Sequence, residues 1–455
     1  MAQLADVLLK VNKDFKKELA VKGIRHLQLK RIPFTSPRLN YETYGGIPRG
    51  RVSMFAGKES SGKTTTALDA VKNAQILFKK EFEDEVKSLT KSVKDAEKIV
   101  NDKSATKSAK EKAKKTLAED KERLDFLKKR GELQIVYFDA EGTIDKDWAI
   151  KLGVDVDNVW YVPLHTQTAE QFLDTVIQVV RDSDNVGLVV IDSIAVLVPQ
   201  IIHGESLEQK SFGGNAAVVT TFCNEVCPIL GEKEIALICI NQARDDLANP
   251  YADFRIPGGN GLKLACSLIM TFQKGKLLDA EGNEQKNSYE NPQGNLVWTR
   301  IVKTKICRPD RRVGFYTLSY NYGVDVVADL IPMAIETQVV EKSGSWFKII
   351  DKNNPEGYMT YDDGEIIKFQ GQMNLMNFLR ETPEAYQFVE RTVMAKISGQ
   401  EDILQVDAEK DAEAIADLKA EAEAISGGVK LREEIPIEEK VEGAYEAPDE
   451  IPMEV

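Results

Sequence analysis

The chain has 455 residues, 42% of them hydrophobic, and a net charge of −13, so it can bury a large core in one α/β domain with extensions or in two to three domains. Its five cysteines form no paired Cys-x-x-Cys set and it has only three histidines, which argues against a disulfide framework and against a zinc site. Because no apolar run approaches the length of a membrane span and no charged-then-apolar leader opens the chain, we expect a soluble, cytoplasmic protein without a membrane partner.

The first 34 residues are predicted to form a helical arm that precedes the core. Apolar residues between Leu4 and Leu19 recur at helical spacing, and a basic stretch from Lys22 to Arg31 follows them. Turn-forming residues are frequent between Thr35 and Gly50. We therefore predict a separate arm over residues 1–34 and a core domain over residues 35–325.

Residues 57–64 match the phosphate-binding pattern G-x-x-x-x-G-K-[ST], between a predicted buried strand at 51–56 and a predicted helix from Thr65. Glycines let backbone N–H groups approach a polyphosphate, and the N-terminus of the following helix faces it. Lys63 supplies a cation for the β- and γ-phosphates, and Thr64 supplies a hydroxyl ligand for Mg²⁺. A chance match in a glycine-rich surface turn is the alternative, which the flanking strand and helix disfavour. The residues predicted to bind nucleotide here are Gly57, Glu59, Ser60, Ser61, Gly62, Lys63, Thr64 and Thr65.

Residues 79–130 differ in composition from the rest of the core, because lysine, glutamate and alanine dominate and turn formers are nearly absent outside 101–106. Apolar residues from Phe82 to Val100 alternate steps of four and three, which is a heptad stripe, and a weaker stripe runs from Ala113 to Leu127. We predict two antiparallel helices inserted as a coiled-coil hairpin. Two interpretations stay open: a contact arm for DNA, a partner or the next subunit, or a solvated coiled coil that binds nothing.

Three apolar runs follow, and polar residues come directly after each of them. Runs this apolar, separated by helical segments, are typical of parallel strands that are covered on both faces. In an open α/β sheet, ligands bind at the carboxyl ends of the strands, so these polar residues should converge on the phosphates. The runs and the residues after them are 133–138 with Asp139 and Glu141, 186–191 with Asp192 and Ser193, and 235–240 with Asn241 and Gln242.

Each strand end offers a different chemical group. Asp192 has the form of a Walker B aspartate, which holds Mg²⁺ directly or through water. Glu141 is the candidate base or orienting group for an attacking water, with a salt-bridged surface glutamate as the alternative. Gln242 can both donate and accept hydrogen bonds, so it suits a sensor of the γ-phosphate, although a polar strand terminus would look the same.

A candidate nucleic-acid surface follows the third of these strands. Residues 243–257 mix cations such as Arg244 with aromatic side chains, which suits a single strand, although an ordinary surface loop has a similar composition. A second glycine-bearing loop, 203–215, lies beyond the second strand. Basic residues gather again further on, where Lys303 and Lys305 alternate along a predicted strand and so share a face.

The chain resembles bacterial RecA-type DNA recombinases over about residues 35 to 395, apart from the insertion at 79–130. Six blocks in the same order carry this resemblance, which makes it highly specific. They are Gly57-Lys58-Glu59-Ser60-Ser61-Gly62-Lys63-Thr64-Thr65, Phe138-Asp139-Ala140-Glu141 with Lys151-Leu152-Gly153-Val154-Asp155, Val190-Ile191-Asp192-Ser193, Asn241-Gln242-Ala243-Arg244, Gly258-Gly259-Asn260-Gly261-Leu262-Lys263 and Glu341-Lys342-Ser343-Gly344-Ser345-Trp346.

The resemblance implies ATP and Mg²⁺ as cofactors and a role for each matching residue. By resemblance, Glu141 is the catalytic glutamate, and Gln242 couples the γ-phosphate to the second DNA loop. Lys63 is assigned to the catalytic residues together with these two. Lys303 and Lys305 would reach the neighbouring subunit's ATP across a filament interface and stabilise transition-state charge, as arginine fingers do. The other assigned residues are Asp145 and Trp148 at the adenine, and Arg244, Gly258, Gly259 and Asn260 at single-stranded DNA.

The resemblance also implies an α/β fold: a RecA-like P-loop NTPase core whose mostly parallel central sheet is flanked by helices. The arm at 1–34 would dock on the adjacent subunit and build a helical filament. A small C-terminal α+β domain is predicted over 326–397, followed by an acidic, disordered tail over 398–455.

The acidic tail carries the whole charge imbalance. Residues 401–455 hold 18 acidic and 5 basic side chains, and this difference of −13 equals the net charge of the chain. The remaining, neutral part of the chain is free to bind phosphate backbones. The tail is either a solubilising segment or a screen that competes with DNA for basic surfaces until Mg²⁺ or salt weakens it.

The chain departs from the family pattern in several places. Where the family has basic residues on the helix after the first DNA loop, this chain has Val218 and Glu225. The second loop is slightly shorter, the hairpin at 79–130 is not part of the usual pattern, and the acidic tail is long. Such divergence would fit a viral or plasmid-borne member.

We therefore expect a DNA-dependent ATPase that forms filaments on single-stranded DNA and exchanges it into homologous duplex. The expected partners are single- and double-stranded DNA, other copies of this chain, and candidate loading or mediator proteins. A ring-forming RecA-fold motor such as a replicative helicase stays open, although it would lack the Glu59-Ser60-Ser61 block and the paired lysines. A non-catalytic DNA-binding recombination mediator is the second alternative, and the intact Lys63, Glu141 and Asp192 disfavour it.

Overall fold

A computed structural model of the chain describes the residues 4–14, 29–104, 106–165, 167–201, 214–243, 259–279, 282–286, 290–361 and 363–398. The N-terminal elements are α1 (Leu4–Asp14), β1 (Arg31–Ile32), α2 (Pro37–Thr43) and β2 (Ile47–Pro48), and β1 pairs with β2 in antiparallel. The hydroxyl of Ser36 caps α2 by accepting a hydrogen bond from Leu39 N, and Pro37 takes the first helical position. Much of the predicted arm, residues 15–28, lies outside the described residues.

A nine-stranded sheet forms the centre of the core, in the order β11-β10-β9-β8-β3-β7-β6-β4-β5. The six strands from β8 to β5 in that order are parallel, and β9, β10 and β11 extend the sheet in antiparallel. The strands are β3 (Val52–Gly57), β4 (Gln134–Asp139), β5 (Trp160–Pro163), β6 (Val186–Asp192), β7 (Ala236–Gln242), β8 (Leu268–Leu278), β9 (Gly294–Thr304), β10 (Val313–Ser319) and β11 (Gly323–Val324). The helices between them are α3 (Lys63–Asn101), α4 (Lys107–Arg130), α5 (Lys146–Lys151), α6 (Ala169–Asp182), α7 (Gly214–Lys233) and α8 (Gly259–Ala265), with 3₁₀ turns at Val156–Asn158 and Ile194–Val196.

Each face of this sheet has its own hydrophobic core, because alternate residues of a strand point to opposite faces. Phe55 and Val190 pack in one cluster with the first turns of α3. Their chain neighbours Met54 and Val189 pack in the other cluster with α6 and α7. Covered on both faces, the central strands need apolar residues at every position, which explains the continuous apolar runs. The predicted α/β fold with a mostly parallel central sheet is confirmed.

The helix that follows the phosphate-binding loop continues without a break into the predicted hairpin. α3 has 39 residues and no glycine or proline, which gives it a length of about 58 Å at 1.5 Å per residue. α4 packs beside it after a short connection, and ion pairs join the helices at Arg123–Glu85 (2.5 Å) and Lys121–Glu97 (2.8 Å). The buried side chains of this pair beyond the core are Val93, Ala96, Ala113, Leu124 and Leu127, all from the predicted apolar stripes.

A second, three-stranded antiparallel sheet lies in the C-terminal part of the described chain, with a hydrophobic cluster of its own. Its elements are α9 (Val326–Glu336), β12 (Val340–Ser343), β13 (Trp346–Ile349), β14 (Phe369–Gln370), α10 (Gln372–Glu381) and α11 (Pro383–Ser398). The predicted tail after 398 lies outside the described residues. Across the helices that are described, none combines the length and the apolar character needed to cross a membrane.

Two buried carboxyl groups join α2 to the elements around it. Glu42 accepts a hydrogen bond from Thr299 Oγ1 at 3.0 Å, and Asp329 accepts one from Ser36 Oγ at 2.6 Å and one from Thr317 N at 2.8 Å. Burial raises the pKa of Glu42 to about 8 and that of Asp329 to about 7. Both groups therefore favour the protonated form in the folded chain.

Stability is expected to fall as the pH rises, and Glu42→Gln should remove part of that fall. Because the folded pKa of Glu42 is raised, its contribution to stability is complete below its unfolded pKa and is lost as the pH approaches 8. The corresponding slope is about 1.4 kcal/mol per pH unit between pH 5 and 8. Urea unfolding at several pH values measures it, with the exposed Glu381→Gln as the control. Parallel pH profiles for Glu42→Gln and the wild type would contradict this assignment.

Candidate nucleotide-binding and catalytic site

The loop at 57–64 lies at the carboxyl end of β3, in the middle of the sheet, and leads directly into α3. Gly57 has no room for a side chain, because a Cβ there would lie 2.5 Å from both the Phe272 carbonyl oxygen and the Ser61 hydroxyl. Gly62 has φ +96°, in the left-handed region that favours glycine. The two glycines therefore meet different demands, close packing of the backbone at one position and an unusual backbone conformation at the other.

Lys63 and Ser61 supply the loop with polar groups. The Lys63 ammonium donates a hydrogen bond to the Lys58 carbonyl oxygen at 2.6 Å. Burial lowers the pKa of Lys63, while Asp192 and other nearby carboxylates act in the opposite direction. Ser61 Oγ is buried and has no hydrogen-bond partner within the described part of the chain. Because an unpartnered buried hydroxyl costs about 1–3 kcal/mol, the loop fits a ligand rich in acceptor atoms, such as a polyphosphate.

Asp192, the last residue of β6, lies beside the first turn of α3. Its Oδ2 accepts hydrogen bonds from Thr64 Oγ1 at 2.9 Å and from Tyr137 OH at 2.7 Å. Burial raises the pKa of Asp192 to about 6, and the charges of Glu141 and Asp139 add to the rise while the two hydrogen bonds oppose it. A cation bound at this carboxylate would offset the cost of burying its negative charge.

The residues at this point fit Mg²⁺ better than a cation that needs a full protein cage. Thr64 and Asp192 bring one hydroxyl and one carboxylate together. Among the described residues, no group of three or more carboxylate, histidine or cysteine side chains is arranged to hold a metal ion. Mg²⁺ keeps several waters and binds through one or two protein oxygens together with substrate phosphates. Thr64 and Asp192 are therefore the residues that would hold Mg²⁺ at this point.

Glu141 and Gln242 meet at the same edge of the sheet. Glu141 Oε1 accepts hydrogen bonds from Gln242 Nε2 at 2.9 Å and from Ser193 Oγ at 2.5 Å. Gln242 ends β7 and pairs in register with Gly57 at the end of β3. The structure thus brings the ends of β3, β4, β6 and β7 together around the phosphate-binding loop.

Asp139 fixes the turn that carries Glu141. Its Oδ1 accepts hydrogen bonds from Glu141 N at 3.1 Å and from Gly142 N at 2.7 Å. Its Oδ2 accepts a hydrogen bond from Tyr161 OH at 3.0 Å. Because the carboxylate holds two successive backbone N–H groups, the turn presents Glu141 toward the neighbouring strand ends.

The two residues predicted at the adenine occupy different positions. Trp148 Nε1 donates a hydrogen bond to Thr65 Oγ1 at 3.3 Å, so the indole lies against the first turn of α3. Asp145 is exposed and caps α5 by accepting a hydrogen bond from Trp148 N at 3.1 Å. Trp148 therefore lies beside the phosphate-binding loop, and Asp145 positions the helix that carries it.

The predicted DNA-binding residues are only partly described. Arg244, Gly258 and the loop at 202–213 lie outside the described residues. Gly259 has φ +74°, and a Cβ there would lie 2.7 Å from Ala216 Cβ, so α8 begins in close contact with α7. Asn260 follows with an exposed side chain.

The helix that departs from the family's basic pattern carries an ion pair instead. Glu225 of α7 accepts from Arg181 of α6 at 3.3 Å, and both side chains are more than half exposed. Val218, on the same helix, is half-buried. Neither residue supplies the positive charge that the family pattern places there.

Lys303 and Lys305 lie away from the phosphate-binding loop of their own chain. Lys303 of β9 pairs in register with Ile269 of β8, and Ile269 pairs with Met54 of β3. Lys303 is therefore level with a residue that lies three positions before Gly57, toward the amino end of β3. Its ammonium donates to carbonyl oxygens in the last turn of α8, and Lys305 Nζ donates to the Leu264 carbonyl oxygen at 2.8 Å. Within one chain these lysines therefore cap the C-terminal end of α8 and lie away from the phosphate-binding loop.

Sequence reasoning missed the role of Tyr137 and gave none to Ser193. Tyr137 is 1% exposed, and its hydroxyl donates to Asp192. The sequence offered one signal for this role. Tyr137 and Asp139 are two residues apart in one strand, so their side chains lie on the same face of the sheet. A tyrosine hydroxyl within an apolar strand needs a hydrogen-bond partner when it is buried.

Tyr137→Phe is expected to raise the Mg²⁺ concentration needed for half-maximal ATP hydrolysis by about 10-fold. The substitution removes the hydroxyl that orients the Asp192 carboxylate, and such supporting residues change metal affinity by about 10–100-fold. A Mg²⁺ titration of ATPase activity measures the change, with the exposed Tyr361→Phe as a matched control. A half-maximal concentration equal to that of the control would exclude the orienting role.

The loop and the carboxylate beside it place the chain in the class of P-loop nucleotide-binding proteins. Residues 110–325 match the family model described as the RecA N-terminal domain. This range begins in α4 and ends after β11, so the phosphate-binding loop lies before it.

Three relatives, each named Protein RecA, illustrate the similarity. The protein of Streptomyces coelicolor (strain ATCC BAA-471 / A3(2) / M145) is 28% identical over 355 residues, which is 78% of this chain and 73% of the relative. That of Acidothermus cellulolyticus is 28% identical over 78% of this chain and 79% of its own length. That of Treponema denticola is 27% identical over 78% of this chain and 66% of its own length. These similarities confirm the resemblance of the chain to RecA proteins.

Proposed function

We propose that the protein is an ATP-dependent DNA recombinase that forms helical filaments on single-stranded DNA and exchanges that strand into homologous duplex. One observation carries the proposal: the Gln242 amide is hydrogen-bonded to the Glu141 carboxylate at 2.9 Å. Gln242 is the last residue of β7, and the candidate DNA-binding segment follows it along the chain. A change at the terminal phosphate therefore reaches the start of that segment through a single side chain.

In this proposal the loop binds the polyphosphate, and Lys63 neutralises part of its charge. Thr64 and Asp192 would hold Mg²⁺, which would neutralise charge that develops on the phosphates. Glu141 orients the attacking water and takes its proton. Ser193 and Gln242 both donate hydrogen bonds to Glu141 Oε1, so Glu141 Oε2 is the oxygen that would accept the proton.

Self-association rests on two features. α1 exposes a set of apolar side chains, of which Leu4 is 73% and Leu9 66% exposed, so its apolar stripe has room for another subunit. Lys303 lies level with Met54, three residues from the loop end of β3, and Lys305 lies further still from the loop of its own chain. A head-to-tail contact would bring them to the nucleotide of the next subunit, and repetition of that contact builds an open helix.

Electron microscopy with a non-hydrolysable ATP analogue and single-stranded DNA tests the proposal, together with strand exchange between a circular single strand and a linear homologous duplex. We expect helical filaments and joint molecules that require ATP. Closed rings would favour a motor such as a helicase. DNA binding without ATP turnover would favour a non-catalytic mediator, and either result would overturn the proposal.

A further inference from the structure

We propose that the far end of the α3–α4 hairpin is a second nucleic-acid surface, which binds the phosphate backbone of duplex DNA without reading its sequence. The hairpin tip is defined as residues 91–115 and the hairpin base as residues 79–90 and 116–130. The tip is remote from the nucleotide site, because the loop lies at one end of α3 and the tip begins about 42 Å along the helix and reaches its other end, about 58 Å away.

Charge is distributed unevenly along the hairpin. The base holds eight basic and eight acidic side chains, so it is neutral. The tip holds nine lysines and four acidic side chains, a net charge of +5. Eight of those lysines are exposed, and the other, Lys110, is half-buried. A face that served only solubility would need no such separation of charge between its two ends.

Most tip lysines make no ion pair with any residue that the structure describes. Lys98 pairs with Asp95 at 3.2 Å and Lys115 lies 3.8 Å from Glu119, while Glu97 pairs with Lys121 of the base. Within the described part of the chain, no ion pair is made by the other seven, which are Lys91, Lys94, Lys103, Lys107, Lys110, Lys112 and Lys114. Hydrogen bonds from Ser104 and then the charge of Lys110 lower the pKa of Asp102. The charges of the other six lysines are available to an external polyanion.

Three of the tip lysines lie at positions where their charges destabilise α4. Lys107 is the first residue of α4, and the first turn of α4 has no acidic residue. Cations at a helix N-terminus oppose the helix dipole at about 0.3–1 kcal/mol each. Lys107, Lys110 and Lys114 follow each other at steps of three and four, where like charges repel. A local arrangement that costs stability and has little internal compensation indicates a functional site.

The composition of the tip selects duplex DNA over a single strand. Residues 91–115 contain no aromatic residue, so the tip offers no surface on which exposed bases could stack. They contain no arginine either, so the tip lacks the planar guanidinium fork and offers lysine point charges, which suit phosphate contacts. Lysine point charges on a rigid rod suit the dense, regular phosphate array of a duplex, which carries one charge per about 1.7 Å of axis.

The test replaces five tip lysines by glutamine in the full chain: Lys103, Lys107, Lys110, Lys112 and Lys114. The control replaces five exposed lysines of the base in the same way: Lys79, Lys80, Lys87, Lys128 and Lys129. Fluorescence anisotropy, without nucleotide, measures binding to a random-sequence 30-base-pair duplex and to a single strand of the same length at several salt concentrations. We expect the tip variant to lose at least about 10-fold in duplex affinity at 100 mM salt. The negative slope of log affinity against log salt concentration should become shallower by up to about 4, because fewer counterions are released.

The control variant and the single-strand affinity of both variants should change by less than about 3-fold. Lysine-to-arginine replacement at the five tip positions should restore duplex binding, and ATP hydrolysis without DNA should stay at the wild-type rate in every variant. Equal losses of duplex affinity in the tip and base variants would show that only net charge matters and would overturn the proposal. A tip variant with wild-type duplex affinity would also overturn it, as would a tip variant that loses as much affinity for the single strand as for the duplex. Replacing residues 91–115 by a short glycine-serine turn repeats the test if the glutamine variant fails to fold.

Discussion

Glu141→Gln is expected to lower DNA-stimulated ATP hydrolysis by at least about 100-fold, while ATP affinity changes by less than about 3-fold. The amide keeps the size of the side chain and can still meet Ser193 and Gln242, but it cannot take a proton from water. Single-turnover hydrolysis with and without single-stranded DNA measures the effect on the chemical step. Equilibrium binding of a fluorescent ATP analogue measures affinity separately.

The matched control for this substitution is Glu356→Gln, an exposed glutamate in the C-terminal part of the chain. It should leave both measurements unchanged. Gln242→Ala should differ from both, because it leaves the carboxylate intact and removes only its link to the following segment. We expect it to retain turnover without DNA and to lose the DNA stimulation. Normal DNA-stimulated turnover in Glu141→Gln would remove Glu141 from the mechanism.

Replacing Lys303 and Lys305 together by glutamine is expected to lower filament ATPase activity by about 1,000-fold and to leave ATP affinity nearly unchanged, since such cations acting from a neighbour contribute about 10³–10⁵ in rate. The structure offers a competing explanation, because both lysines cap the C-terminal end of α8 in their own chain. The matched control is Lys274→Gln with Lys276→Gln, an exposed pair with the same spacing on β8.

Mixed filaments distinguish the two explanations. Subunits that lack Lys303 and Lys305 keep an intact pocket, and Lys63→Ala subunits keep the two lysines but have a defective pocket. If the lysines act on the neighbour's nucleotide, mixing two nearly inactive proteins should restore a substantial part of the activity. If they act only through α8, the mixture should be no more active than its components, and the role across the interface would be wrong.

The central fold was predictable because its strands are buried on both faces. Burial on both faces demands apolar residues at every position, as at 186–191, and such runs are visible in a single sequence. The first polar residue after each run then marks the carboxyl end of a strand. Convergence of Asp192, Glu141 and Gln242 was thus expected from general rules on open α/β sheets, and the structure brings these side chains together.

Other features of the structure could not be recognised from the sequence. The composition changes near residue 79, but the backbone of α3 does not, because helix-forming residues continue on both sides and nothing breaks the helix. Tyr137 looked like one more core residue, since a sequence cannot show which carboxylate its hydroxyl meets. The position of Lys303 was also hidden, because a strand's register against its neighbour depends on tertiary packing.

The unbroken course of α3 has a mechanical consequence. One end of this helix belongs to the phosphate-binding loop, and the other belongs to the hairpin tip. A helix without glycine or proline has no joint at which it bends sharply, so it transmits rotation as a lever does. A tilt of about 5° at the nucleotide end would displace the far end by about 5 Å over its length of about 58 Å. Any tilt of α3 at the phosphate-binding loop would therefore move the tip by a distance that grows with the length of the helix.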